Sequence, residues 1–339
     1  MDLSIIIPVF NAEKFIVRCL DSIFNQAFPG LFEVIAVDDA STDKSLELLR
    51  DYQKNEKGLK IVEHKINKKE SIARASGMNV STGDYIMHVD ADDWILPGAL
   101  ENLLNKIRKD ETDVLVFDVT RVSSDGSTTK VNLIKKEFRT RNKIKVHNLF
   151  FGSSVNKIVR RSLTRDLISG KIENINVTAD FLYAVEILLR AETISTTREI
   201  YYAYFINRES VTWTLPTSKY LDSQCIVLQQ FHRIVQFYKA DKKFVVNALK
   251  YLEKHILRQI LKLQFIKGES YTKMDLLIDN LSRFSELSPW KIKSFTHLYD
   301  SKAFLLAYSV LVLGLRDPLS VLFRSIKEAS GEKIRTSEK

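Results

Sequence analysis

The first 120 residues alternate between short apolar runs and longer stretches in which apolar residues recur every three or four positions. Continuous apolar runs are typical of strands buried in a parallel sheet, and the three-to-four spacing is typical of helices. The predicted strands are 3–8, 32–37, 59–62, 85–89 and 114–117. The predicted helices between them are 12–26, 44–54, 71–80 and 99–108. This alternation predicts an α/β fold, with helices covering both faces of a mostly parallel sheet.

Polar residues follow the first, second and fourth predicted strands where each strand ends. In an open α/β sheet, the carboxyl ends of the strands form the crevice that binds ligands. We therefore expect these side chains to face one crevice. They are Asn11, Asp38, Asp39, Asp90, Asp92 and Asp93.

The three carboxylates between positions 90 and 93 indicate a divalent cation, because like charges this close repel each other unless a cation lies among them. Hard oxygen ligands suit Mg²⁺ or Mn²⁺, which takes its remaining ligands from substrate phosphates and water. Pro8-Val9-Phe10-Asn11 stands where a glycine-rich dinucleotide fingerprint would follow the first strand. The sequence also has no Walker loop, so nicotinamide enzymes and P-loop kinases are disfavoured.

Five motifs, in order and spacing, resemble the family 2 glycosyltransferases, which are inverting, nucleotide-sugar-dependent enzymes of the GT-A fold. The resemblance extends over residues 1–215, and a set of five motifs is far more specific than a single Asp-x-Asp. The motifs are Pro8-Val9-Phe10-Asn11, Asp38-Asp39-Ala40-Ser41-Thr42-Asp43, Ser71-Ile72-Ala73-Arg74, Thr82-Gly83-Asp84-Tyr85-Ile86 and Asp90-Ala91-Asp92-Asp93.

The resemblance implies how the nucleotide would be bound. Pro8, Phe10 and Asn11 would line the nucleotide pocket. Asp39, with Asp38 beside it, would accept a hydrogen bond from the base.

On the diphosphate side, the resemblance places Arg74 near the base or the diphosphate. Asp90 would lie near the ribose or the sugar, and Asp92 on the Mn²⁺ or Mg²⁺ ion bound to the diphosphate. The family's catalytic base corresponds to Asp180. Such a base takes the proton of the acceptor hydroxyl, which attacks the anomeric carbon opposite the departing diphosphate.

The chain departs from the family pattern at several positions. Ala179 replaces the Glu that usually precedes the base, so Asp180 could instead be only a helix N-cap. Asn67-Lys68-Lys69 carries Lys where the family has Gly, Ala75 replaces an Asn, and Phe205 replaces an Arg. The segment 156–161 resembles a family segment that precedes the acceptor region.

The net charge of +9 is concentrated in the last third of the chain. From Thr217 to Lys339 there are 21 Lys and Arg residues against 12 Asp and Glu, so the rest of the chain is neutral. Apolar residues recur at helical spacing over 219–267, and 303–315 is almost free of polar groups but shorter than the roughly 20 residues of a membrane span. We expect a glycosyltransferase domain at 1–216, a basic helical domain at 217–329 and a disordered tail at 330–339.

These features predict the partners and the location. We expect the partners to be a nucleotide-sugar donor and a glycan or lipid-linked glycan acceptor. We expect no secretory signal and a cytoplasmic location. The basic third suggests a peripheral position on the anionic inner face of the cell membrane. Core packing, a homodimer interface and membrane contact remain open for the run at 303–315. No nucleic acid is expected, because aromatic residues do not interleave with the basic ones.

Two functions from different classes are compatible with the sequence. The first is a metal-dependent inverting glycosyltransferase that builds a cell-surface polysaccharide. The second is a catalytically inactive module that binds sugar nucleotide or scaffolds an assembly complex, which the loss of Glu at position 179 favours.

Overall fold

The computed structural model describes most of the chain up to residue 252. The described residues are 1–28, 30–131, 134, 136–141, 153–173, 175, 177–207, 217–249 and 251–252. The predictions for the apolar run at 303–315 and for the tail at 330–339 lie outside them.

Within the described residues, ten strands join in one mixed sheet. They are β1 (Leu3–Val9), β2 (Phe32–Asp38), β3 (Leu59–Glu63), β4 (Tyr85–His88), β5 (Trp94–Ile95), β6 (Val114–Val122), β7 (Thr128–Val131), β8 (Arg139–Thr140), β9 (Lys157–Arg160) and β10 (Ile194–Phe205). The main path runs β3-β2-β1-β4-β9-β6-β10-β5, with β7 on β6 and β8 on β10. The β6–β7 hairpin turns at 123–127, where the sequence has turn residues.

Six α-helices accompany the sheet in the described part of the chain, besides a shorter helical segment near residue 245. They are α1 (Ile16–Phe24), α2 (Ser45–Asn55), α3 (Glu70–Val80), α4 (Ala99–Asp110), α5 (Ala179–Arg190) and α6 (Thr217–Phe237). Residues 242–249 are also helical. All four helices predicted in the first half are present. The first one begins at Ile16 rather than Ala12, because residues before it form a turn in which Ala12 O accepts two N–H groups.

Strands β1 to β4 are parallel to one another, as predicted, but β9 is antiparallel to its neighbours. Strand β9 lies between β4 and β6 and runs antiparallel to both. Its first residue, Lys157, therefore lies at the end of the sheet where β4 finishes. The whole sheet is mixed, and the prediction of a mostly parallel sheet holds for β1 to β4 and for the β6–β10 pair.

Side chains of β1 alternate between two hydrophobic cores, one on each face of the sheet. Ile5 and Ile7 join α1 and α4 in one core, whereas Ile6 joins α5 and α6 in the other. Both cores are formed by residues with almost no exposed surface. The site-bearing loops at the carboxyl ends of β1, β2 and β4 are thus anchored by packing on both faces.

Helix α6 packs against α5 and belongs to the same core as the sheet. The rings of Phe231 in α6 and Phe181 in α5 have centroids 5.4 Å apart. Gln224 in α6 donates a hydrogen bond to Thr178 Oγ1, just before α5, at 2.8 Å. Among the helices of the described residues, none combines the length and the apolar character that a membrane crossing requires.

Candidate active site

Asn11 ties together the loops that follow β1 and β2. Its Oδ1 accepts the Thr42 N–H at 2.8 Å, and its own N–H donates to Ser41 Oγ at 3.1 Å. Asp38, which is buried, accepts the Ser41 N–H at 3.2 Å. Phe10 lies directly before Asn11 with 45% of its surface exposed. Asn11 and Asp38 therefore shape the rim, and Phe10 offers an accessible aromatic ring beside it.

Asp39 is buried and holds the loop between β3 and α3. Its Oδ1 lies 2.7 Å from His64 Nδ1 and accepts the Lys68 N–H at 2.8 Å, while Oδ2 accepts the Lys69 N–H at 2.8 Å. Lys69 has φ 73° and ψ 163°, a conformation that favours glycine. Oδ2 accepts one bond and Oδ1 two, so Oδ2 retains more acceptor capacity for a ligand.

The acidic cluster after β4 is fixed by β10. Tyr202 in β10 donates its hydroxyl to Asp93 Oδ2 at 2.6 Å, and the same hydroxyl accepts the Asp90 N–H at 3.0 Å. Asp93 is fully buried and also accepts the Phe205 N–H. Asp92 Oδ2 accepts a hydrogen bond from Asn207 Nδ2 at 3.1 Å. Asp93 is thus an internal anchor, and Asp90 and Asp92 are left partly exposed.

Burial raises the pKa values of the whole acidic cluster. It is the largest cause that raises the pKa of Asp90 to about 6, where Asp180 and Asp92 act in the same direction and Arg74 in the opposite one. Burial also raises the pKa of Asp92, and raises that of Asp93 well above its usual range. Ionised carboxylates in such a place are favoured by added positive charge.

The donor set at this cluster fits a shared divalent cation. Among the residues that the structure describes, no three or more His, Cys, Asp or Glu side chains are grouped to hold a metal on their own. Mg²⁺ or Mn²⁺ bound together with a diphosphate needs only one or two protein carboxylates. Asp90 and Asp92 supply that number.

Arg74 connects the acidic cluster to Asp180. This arginine, on α3, is buried with 4% of its surface exposed. Its guanidinium donates to Asp90 Oδ1 at 2.6 Å and to Asp180 Oδ1, and it also pairs with Glu70. Asp90 and Asp180 are therefore held a guanidinium apart, although 90 positions separate them in sequence.

Asp180 lies in the first turn of α5, but it does not cap the helix. The residue before the helix is Thr178, and no side chain forms a cap hydrogen bond there. The two Asp180 oxygens are directed elsewhere: Oδ1 to Arg74, and Oδ2 to the Ser154 N–H at 3.3 Å. About a quarter of the side chain is exposed, so the carboxylate remains reachable from the crevice.

The structure adds residues that the sequence did not single out as site residues. Tyr202 orients the acidic cluster, and Ser154 and the buried Lys157 approach Asp180. Arg18 stacks on Trp94, with its guanidinium carbon 4.2 Å from the ring centroid, and donates to the Asp92 carbonyl. A lysine directly before the two apolar residues Ile158 and Val159 was the available signal for Lys157. Arg18 and Ser154 had no signal, because their partners lie 74 and 26 positions away.

The mixed sheet, with an acidic crevice at the carboxyl ends of β1, β2 and β4, defines an α/β domain with a ligand-binding crevice. Residues 4–168 match the family model of glycosyl transferase family 2. This match confirms the resemblance to family 2 glycosyltransferases that the five motifs predict. The GT-A fold is confirmed as well, by a structure of TarS residues 1–349 from S. aureus in complex with UDP-GlcNAc. Its TM-score is 0.67 at 21% identity, with 99% of this chain and 93% of that chain covered.

Curated relatives carry glycosyltransferase names. A poly(ribitol-phosphate) beta-glucosyltransferase of Bacillus spizizenii is 29% identical over 65% of this chain, and this chain spans 35% of that relative's length. The putative glycosyltransferase EpsH of Bacillus subtilis is 25% identical over 72% of this chain and 74% of its own length.

Proposed function

We propose that this chain transfers a sugar from a UDP-sugar to a hydroxyl group of a glycan or lipid-linked acceptor in cell-surface polysaccharide synthesis. The observation that carries this proposal is the Arg74 bridge, because it holds a partly exposed carboxylate beside the acidic cluster. The names of the relatives support the acceptor class, since the Bacillus spizizenii protein acts on poly(ribitol-phosphate). The UDP-GlcNAc complex of TarS supports the donor class.

In this proposal, the donor occupies the crevice with its base near Asp39 and Phe10. Its diphosphate lies at Asp90 and Asp92, which would hold a Mn²⁺ or Mg²⁺ ion between them. Such an ion offsets the negative charge on the departing diphosphate. Asn11 and Asp38 keep the two rim loops in place around the nucleotide.

Asp180 acts as the general base on the acceptor side. Its carboxylate takes the proton of the acceptor hydroxyl while that oxygen attacks the anomeric carbon. Attack from the face opposite the diphosphate inverts the anomeric configuration. The contacts from Arg74 and Ser154 restrict how the carboxylate can turn, so its oxygens keep a fixed position relative to Asp90.

A donor screen tests this proposal. The full chain is titrated by calorimetry with UDP-, GDP- and dTDP-sugars in the presence of Mn²⁺, and nucleotide release is then measured for each donor that binds. We expect binding and slow hydrolysis of one UDP-sugar. Binding without any release, even with added glycan acceptors, would instead favour a sugar-nucleotide-binding module, and no binding would contradict both.

A further inference from the structure

The antiparallel direction of β9 brings a second group of residues to the crevice. Met87 in β4 lies opposite Ile158 in β9, so Lys157 and the residues before it stand at the carboxyl end of β4. The carboxyl end of β4 is also where the acidic cluster begins. Residues 153–157 are thus delivered to the rim from the opposite chain direction.

Lys157 is a buried lysine at this place. Only 1% of its surface is exposed, and its ammonium donates to the Ser153 carbonyl and to Asn156 Oδ1, the latter at 2.6 Å. Burial lowers its pKa to about 7, with Asp180 acting in the opposite direction and Arg74 in the same direction. A buried ammonium is costly unless its hydrogen bonds are made, so these contacts fix both the lysine and its partners.

We propose that Lys157 is a positioning residue for Asp180, acting through the backbone of Ser153 and Ser154. The ammonium holds the Ser153 carbonyl, which fixes the peptide plane between Ser153 and Ser154. The N–H of that same peptide unit is the one that donates to Asp180 Oδ2. Because the C=O and N–H of one trans peptide are rigidly coupled, holding the first directs the second.

The second contact matters because Arg74 alone does not define the carboxylate plane. Arg74 reaches only Oδ1, and the terminal torsion of an aspartate is broad. With Ser154 on Oδ2, both oxygens are held and the plane is set. This inference rests on the proposed function, in which the orientation of Asp180 decides how well it accepts a proton.

The test compares Lys157→Met with wild type in donor affinity and in kcat of sugar transfer or donor hydrolysis. Loss of orientation at a base without loss of the donor pocket predicts kcat lower by about 10- to 100-fold, and a donor Kd within about twofold of wild type. In an Asp180→Asn background, the same change should cause no further loss of kcat. The matched control is Lys130→Met, which removes an exposed lysine of β7 and should leave kcat unchanged.

The outcomes separate this inference from the proposed function. Unchanged kcat in Lys157→Met, or an equal loss in both backgrounds, would overturn the positioning role while leaving the transferase intact. A wild-type chain without turnover would overturn both. Thermal unfolding checks that the variant is folded, and where Lys157→Met is not, Lys157→Leu also removes the N–H donor and is measured in the same way, with the same two outcomes.

Discussion

At the scale of single residues, the site is organised around one arginine side chain that several carboxylates share. Arg74 is buried and bonded to Asp90 and Asp180, and it also pairs with Glu70. Ionised carboxylates packed together in a partly buried place need such a partner. The arginine thus sets the distance between the acidic cluster and Asp180, a structural role beyond the donor contact that the resemblance implies.

Removing the Arg74 side chain should lower the stability of the fold as well as the activity. We expect Arg74→Ala to lower the free energy of unfolding at pH 7 by about 3 kcal/mol, because it removes a buried cation and leaves partly buried carboxylates unpaired. Urea unfolding followed by circular dichroism measures this. The control is Arg50→Ala, which breaks an exposed pair with Glu63 and should cost about 1 kcal/mol or less. Equal losses in the two variants would show that the Arg74 network contributes little to folding.

Lys69 has a backbone conformation that is unfavourable for a residue with a side chain. Its φ of 73° and ψ of 163° lie in a region that glycine adopts readily. We expect Lys69→Gly to raise the free energy of unfolding by about 1 kcal/mol, because the strain is relieved. The control is the neighbouring Lys68→Gly. Lys68 does not have a positive φ, so this variant should be as stable as wild type or less stable. Destabilisation by Lys69→Gly would contradict this account.

At the scale of elements, α5 carries Asp180 and is supported by α6. Glu186 on α5 is fully buried, and it accepts N–H groups from Ile168 and Ser169 and the Tyr238 hydroxyl that follows α6. Together with the packing of Phe231 on Phe181, these contacts fix the axis of α5. The helical segment after the sheet is therefore part of what positions the candidate base.

This support predicts a large effect from a distant substitution. We expect Phe231→Ala to destabilise the protein by about 3–5 kcal/mol, because it opens a cavity in the core behind α5. Thermal unfolding measures the loss. The matched control is Phe237→Ala on the same helix, where the ring is 68% exposed and the change should be small. If both variants have the unfolding temperature of wild type, the packing of α6 does not stabilise α5.

Sequence periodicity could predict the elements of the first half but not the contacts between them. Strands β1 to β4 and helices α1 to α4 follow from spacings of a few residues. The insertion of β9 between β4 and β6 could not be predicted, because its antiparallel pairs join residues that are far apart in the sequence. The same holds for Arg74 and Asp180, which are 106 positions apart. The motif resemblance predicted that both are site residues, but only the structure shows that they form a hydrogen bond.

At the scale of the whole molecule, the charge is uneven. The positive excess lies entirely from Thr217 onwards, while the part of the chain before it is neutral. We propose that this third binds an anionic membrane surface, where each nearby Lys or Arg contributes about 1 kcal/mol. Such binding would bring a lipid-linked acceptor towards the crevice.

Liposome flotation tests the membrane proposal with the full chain. We expect the protein to float with vesicles that contain anionic phospholipid, and to remain at the bottom with neutral phosphatidylcholine vesicles. Binding should weaken between 0.1 and 1 M salt, values at which the screening length falls from about 10 Å to about 3 Å. Equal flotation with both kinds of vesicle would contradict an electrostatic contact.

The most direct test of the central claim is the turnover of a UDP-sugar by wild type and by Asp180→Asn, with donor affinity measured on the same samples. Asparagine keeps the shape of the side chain but accepts a proton poorly. We expect kcat to fall by about 10²- to 10⁴-fold while the donor Kd stays within about threefold of wild type. An Asp180→Asn variant that turns over donor at the wild-type rate would contradict the assignment of Asp180 as the base.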